Sequence, residues 1–220
     1  MKICVITDKT VQDVTSLPEC DMAVFGFTGV GDVDYESELN GETDKFEDVC
    51  RLSKQTGGGI ISGCRTKSYG MKRKSACVAD GGKLLGISDM VHVFDDEELK
   101  SGAGFGVYTV CGYKLGLCIE NDLYFPEGIK ALSLCGCNAV VVIMEELKNT
   151  LPPLLIRAYS YLYGMPVILC AGRTAFFAET NGEVASSTQP CALFDISLKN
   201  RYHLITTRQK GLSGETKADY

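Results

Sequence analysis

Two stretches, Ala139–Met144 and Pro166–Ala171, are apolar at every position. A strand with one wet face alternates apolar and polar residues, so an unbroken apolar run requires cover on both faces. Between them Thr150, followed by Pro152, opens a helical segment through Tyr163 that Gly164 ends. Two doubly buried strands around a helix predict an α/β fold whose sheet faces are covered by helices.

The remaining segments fit that architecture as a single domain over residues 1–220. Strands are expected at Lys2–Thr7 and Met22–Phe27, joined by a connection too short for a long helix. The acidic, aperiodic stretch Asp32–Asp44 reads as a surface loop. Thr43 is the expected cap of a helix carrying Phe46, Val49, Cys50 and Ser53 on one face and stopping at Gly57–Gly59. A strand at Ile60–Cys64, a basic turn, Ser75–Ala79 and the turn Asp80-Gly81-Gly82 before Leu84 predict a β-meander. Val107–Val110 and Lys114–Ile119 flank Cys111-Gly112 as a hairpin. Pro126 then starts a helix that buries Ile129, Leu132 and Cys135 and is capped by Gly136. Short apolar runs fill Glu183–Thr207, and a polar tail begins at Arg208.

Charge and cysteine usage exclude several classes. The formal net charge of −6 repels phosphate backbones, so nucleic acid is not an expected partner. The basic run Lys72-Arg73-Lys74 is short enough to read as a solvated turn without function. No stretch approaches the roughly 18 consecutive apolar residues of a membrane helix, and Met1–Asp8 is too short and polar for a secretory signal, which together predict a cytoplasmic protein. Eleven cysteines sit mostly inside apolar runs and read as reduced core thiols. Cys135-Gly-Cys137 lacks a second pair at zinc-site spacing, and with His92 and His203 the only histidines, no metal centre is expected. Gly57-Gly58-Gly59 is not followed by the helix and lysine of a phosphate loop, so no cofactor is expected.

Chemistry is expected at Gly116-Leu-Cys-Ile-Glu-Asn-Asp-Leu-Tyr-Phe-Pro-Glu127, where a buried strand runs into a sharp turn and a helix. Such a turn displays one side chain at a strand's carboxyl end. This segment resembles the Gly-x-x-Ile-Cys-x-Asp-x-x-Phe-Pro-Glu hallmark of the nitrilase superfamily, the carbon–nitrogen hydrolases. Other stretches match that family in order: Asp21–Phe25 its second strand, Lys74–Gly86 its Asn-Ser-Ala and Asp-Gly hairpin, and Arg157-Ala158 with Met165–Leu169 its Arg-Ala helix and following strand. The resemblance covers Lys2 to about Thr207. It implies a four-layer α-β-β-α sandwich and a homodimer paired through Pro126–Cys135 and Pro152–Tyr163, where Tyr159, Tyr161, Leu162 and Tyr163 spread apolar surface around the second helix.

The family hydrolyses amides or nitriles with a Glu, Lys and Cys set: the cysteine attacks, the glutamate moves its proton and the lysine stabilises the developing anion. Carried over by position, the cysteine falls on Glu120, the lysine on Met90, and the glutamate on Phe27, or on Val24 if the shorter loop is aligned at Thr28. Cys118 lies two residues, roughly 6–7 Å, deeper along the strand and reads as core. Asp89, Glu120, Asp122 and Glu145 or Glu146 could hold a hard cation, but reading them as turn and solvated residues is preferred. The expectation is therefore a nitrilase-like protein without an intact catalytic set, serving in binding, regulation or structure, with Glu120 and Asn121 bordering a small-molecule pocket. Glu120 is expected to lack a nearby lysine and so to favour its neutral form. The alternative is an amidase-type hydrolase working through a reassigned site around Glu120.

Overall fold

A computed structural model describes residues 1–94, 98–198, 201–203 and 207–209 of the chain. Two sheets stack face to face. The first has the strand order β13 (Cys191–Asp195), β1 (Lys2–Ile6), β2 (Met22–Phe25), β4 (Gly59–Ser68), β5 (Met71–Asp80), β6 (Lys83–Asp89), with β3 (Gly31–Asp34) also paired to β4. The second runs β12 (Val184–Ser187), β11 (Thr174–Ala178), β10 (Val167–Ala171), β9 (Ala139–Met144), β8 (Tyr113–Ile119), β7 (Val107–Val110). The uniformly apolar runs form β9 and β10, parallel neighbours in the middle of the second sheet and buried on both faces.

Three apolar layers hold the sandwich together. Between the sheets lie Ile3, Val24, Ile61, Val78, Leu117 and Ile143 with their neighbours. Outside the second sheet, α3 (Pro126–Leu134) and α4 (Leu151–Tyr163) bury Ile129, Leu132 and Ile156 against Cys118, Val140 and Leu169. Outside the first sheet, α2 (Lys45–Thr56) covers Cys4, Ala23, Phe25 and Cys77 with Val49, Cys50 and Leu52. No described helix bridges β1 and β2, so this outer layer is thin. The result is the four-layer α-β-β-α order. No helix among the described residues is long and apolar enough to cross a membrane.

Several local expectations need correction. Asp32–Asp44 is not a loop: it contains β3 and α1 (Tyr35–Leu39), because β4 extends far enough for β3 to pair with it and Asp34 caps α1 by accepting from the Glu36 and Ser37 backbone N–H groups. Asp44, not Thr43, precedes α2, since the Thr43 hydroxyl is engaged by Glu38. Cys135 is exposed rather than part of the buried stripe, because the helix ends at Leu134. Cys191 is also exposed, because alternate residues of β13 face outward. The strand β11 adds an element not foreseen from the sequence. The basic run is not a turn: Lys72, Arg73 and Lys74 lie within β5, and the turn is at Tyr69-Gly70, both at positive φ. Of the expected polar tail, residues from 210 onward lie outside the described ones, whereas Thr207–Gln209 pairs with Arg201–His203.

The sheets approach closely where Gly63 of β4 meets the second sheet. A Cβ there would stand 2.9 Å from Ile143 Cγ2 and 3.1 Å from the Phe27 backbone nitrogen. Gly63→Ala must push backbone as well as a side chain, and we expect it to lower unfolding free energy by about 1–3 kcal/mol in chemical denaturation.

Candidate functional site

The site forms where β2, β6, β8 and β9 end. Glu120, the residue after β8, begins a 3-10 turn, Glu120–Tyr124, with its own φ at 51°. That left-handed conformation costs a bulky residue on the order of 1–3 kcal/mol and persists only where surroundings enforce it. Part of the enforcement comes from Asp122, which is 1 % exposed. Its carboxylate accepts from the Val91 and His92 backbone N–H groups at 3.0 and 2.8 Å, and from Ile119 N–H at 3.3 Å. His92 Nδ1 lies 2.9 Å from the same carboxylate, and its ring stacks on Phe125 at 3.7 Å. One buried carboxylate thus fastens the segment after β6, with Met90, to the turn that carries Glu120.

Glu120 faces inward. Its carboxylate accepts from the Glu145 backbone N–H, just beyond β9, at 2.7 Å and stands 3.5 Å from Lys74 Nζ. Lys74 is equally close, 3.5 Å, to the Glu145 carboxylate, which also pairs with Arg65. Arg65 in turn lies over the Phe27 ring, 5.7 Å from its centroid. The expectation that no lysine stands near Glu120 is therefore wrong. Antiparallel pairing of β4 and β5 sets Arg65 opposite Lys74, and directly opposed residues point to the same face.

Phe27 and Met90, 3 % and 1 % exposed, are packed in the layer between the sheets, together with Ile119. Met90 is tied to the same cluster through its backbone, donating its N–H to the Lys74 carbonyl at 2.8 Å. Val24, the other aligned position, is the penultimate residue of β2 and is buried inside the same layer. Asn121 is the second residue of the 3-10 turn and half-buried. Asp89 lies apart from Asp122: it accepts from the Ser75 hydroxyl at 2.6 Å and faces Arg73. Among the described residues no three His, Cys, Asp or Glu side chains are grouped to hold a metal.

Sequence reasoning missed Arg65, took Lys74 for part of a solvated turn, and named Glu145 only as a possible cation ligand. The signal was available for the first two, since a two-residue turn at Tyr69-Gly70 fixes the register that opposes them. Beside them, β3, α1 and the β4–β5 hairpin enclose a cavity of about 570 Å³ that shares Arg65 and Lys74 with the Glu120 cluster.

No thiol nearby is set up for attack. Cys118 is fully buried beneath α3 and α4, and burial with the Asp122 charge pushes its thiol well above the ordinary range. Burial raises Cys170 to about 12. Reactivity requires thiolate and access. Native labelling with an aromatic disulfide reagent should modify exposed Cys135 and leave Cys118 and Cys170 untouched until the protein unfolds. Fast native modification of Cys118 would overturn this geometry.

No family model matches the chain. A probable nitrilase of Schizosaccharomyces pombe is 30 % identical over 112 residues, a match spanning 48 % of this chain and 41 % of that protein, so this chain aligns with less than half of the relative's length. Among solved structures, a mutant of the Nesterenkonia AN1 amidase from the nitrilase superfamily superposes with a TM-score of 0.70 at 16 % identity, covering 88 % of each chain. The NitN amidase of the same organism reaches 0.72 at 15 % identity, covering 91 % of this chain and 93 % of that one. The chain thus shares the fold of nitrilase-superfamily amidases and, over 112 residues, is similar in sequence to a probable nitrilase.

Proposed function

We propose that this chain is a nitrilase-fold protein that does not hydrolyse carbon–nitrogen bonds and serves instead as a small-molecule-binding or regulatory protein. The observation that carries the reading is the state of Glu120. It occupies the strand-to-turn position where the superfamily hallmark has cysteine, and its carboxylate is engaged by the Glu145 N–H and Lys74. A carboxylate so held is a poor acyl acceptor. Phe27 and Met90, aligned with the family's glutamate and lysine, can neither move a proton nor carry a charge. Exposed leucines on the two helices of the second outer layer, Leu134, Leu151, Leu154 and Leu162, support pairing of two copies through that surface. The net negative charge argues against nucleic-acid partners, and eleven free, mostly buried cysteines support a reducing, cytoplasmic setting.

One observation favours the second reading, an amidase with a reassigned site: Lys74 supplies a cation beside Glu120. Ammonia release from a panel of short aliphatic amides, followed for wild type, Glu120→Ala and Glu120→Cys, separates the two. We expect no turnover from any of them, the cysteine variant included, because removing the nucleophile of such a set costs about a million-fold and its partners are missing as well. Wild-type turnover that disappears in Glu120→Ala would establish the second reading.

A further inference from the structure

We propose that the cavity between β3, α1 and the β4–β5 hairpin is a binding site for a small organic anion, a carboxylate or phosphate on a short carbon skeleton. This deepens the small-molecule part of the reading above and rests on it. The carrying observation is the β4–β5 register. Arg65 is opposite Lys74 and Lys67 is opposite Lys72. Opposed residues share a face with Cβ atoms about 4.5–5.5 Å apart, and residues two apart along a strand share it too. Four cations therefore project from one face of a two-stranded ribbon. Like charges placed directly opposite destabilise a sheet, and two such pairs in succession are a cost the fold itself does not require.

The cavity concentrates this charge. Among the described residues, six basic ones, Lys45, Arg65, Lys67, Lys72, Arg73 and Lys74, line it together with two acidic ones, Asp32 and Asp34. Among the described residues the counter-charges fall into two tiers. At the inner end, Glu120 and Glu145 hold Lys74 and Arg65. Toward the mouth the partners are weak: Glu98 sits 3.6 Å from Lys72 with 90 % of its side chain exposed, and Asp32 sits 3.4 Å from Arg65 with 82 % exposed. Pairs of that kind contribute roughly 0–1 kcal/mol each, so a ligand anion can displace them. Asp34 faces Lys67 at 3.1 Å, but its carboxylate also caps α1, and Arg73 stands 3.5 Å from Asp89. The outer cations Lys67 and Lys72 are thus the ones left to meet an incoming anion.

Size and walls narrow the ligand further. About 570 Å³ falls within the range of small-molecule pockets. Val33 and Leu99 supply apolar wall for a short hydrocarbon stem, and Ser37 and Thr43 supply hydroxyls.

Succinate and inorganic phosphate serve as probes of the two head groups, titrated into the full chain by calorimetry and by thermal melting, with sodium chloride at matched ionic strength as the control. We expect at least one probe to bind and to raise Tm beyond the chloride control; which one succeeds tells carboxylate from phosphate. Lys67→Gln and Lys72→Gln should each weaken binding roughly tenfold, as expected for loss of one charged hydrogen bond. Lys72→Arg should retain binding, and Lys130→Gln, on α3, should change nothing. Lys72→Gln should also raise the ligand-free Tm, because it removes a cross-strand repulsion. A residue with a merely structural role would not lower affinity and raise stability together. Probe shifts equal to those of chloride, or glutamine variants with wild-type affinity, would overturn the proposal. Anion binding by a chain that also releases ammonia would sink the non-catalytic reading alone, whereas an inactive chain that binds neither probe would sink this one alone.

Discussion

The layer of aliphatic side chains between the two sheets sets the positions of everything that follows. Because β1, β2, β4, β8, β9 and β10 each bury one face in that layer and the other beneath the outer helices, a shift of one residue in any strand would exchange two sets of side chains that each fit only their own layer. Their registers are therefore strongly specified, and so are the points at which they end. Met90, Glu120 and Glu145 each come directly after a strand's last residue, and Phe27 comes two residues after the end of β2. Side chains that are distant in sequence are brought to one end of the sandwich by packing, and Asp122 then locks two of those ends together through backbone N–H groups. The same layer explains why Gly63 has no room for a methyl group.

At that end, Glu120 is part of an internal charge lattice. Arg65, Glu145, Lys74 and Glu120 alternate in sign through successive contacts, and Phe27 sits under the guanidinium. Burying one of these charges alone would cost several kcal/mol, but an alternating set that also uses a backbone N–H offsets much of that penalty. The left-handed φ of Glu120 makes the passage from β8 into the turn a sharp one, and the side chain displayed there is a carboxylate. The site keeps a geometry suited to presenting a reactive group and presents a carboxylate already engaged by its neighbours.

The fold was largely legible in the sequence, for identifiable reasons. The apolar runs at β9 and β10, the glycine and proline punctuation around α3 and α4, and the Asp80-Gly81-Gly82 turn are local signals, and each falls where it was read. The hidden parts depend on partners far away in the chain. β3 and α1 form only because β4 continues past Cys64 to offer an edge, and that stretch by itself reads as acidic loop. At the site, Glu120 could be found from its motif, whereas Lys74 could not be weighed by composition. A run of three basic residues reads as solvated surface until strand pairing shows that one member points between the sheets. Glu145 had no local signal beyond following a buried strand, since its role comes from which neighbours the fold delivers to it.

The account's central claim is that Glu120 and Lys74 are energetically coupled partners in a closed lattice rather than two groups waiting for substrate. A double-mutant cycle measures that coupling directly, with urea unfolding of wild type, Glu120→Gln, Lys74→Met and the double variant. Glutamine keeps an acceptor for the Glu145 N–H while removing the charge. The account predicts that the two single substitutions each destabilise and that the double variant loses less than their sum, leaving a coupling of about 1–3 kcal/mol. Additivity within about 0.5 kcal/mol would contradict it, because Glu120 and Lys74 would then stand near one another without holding the site together.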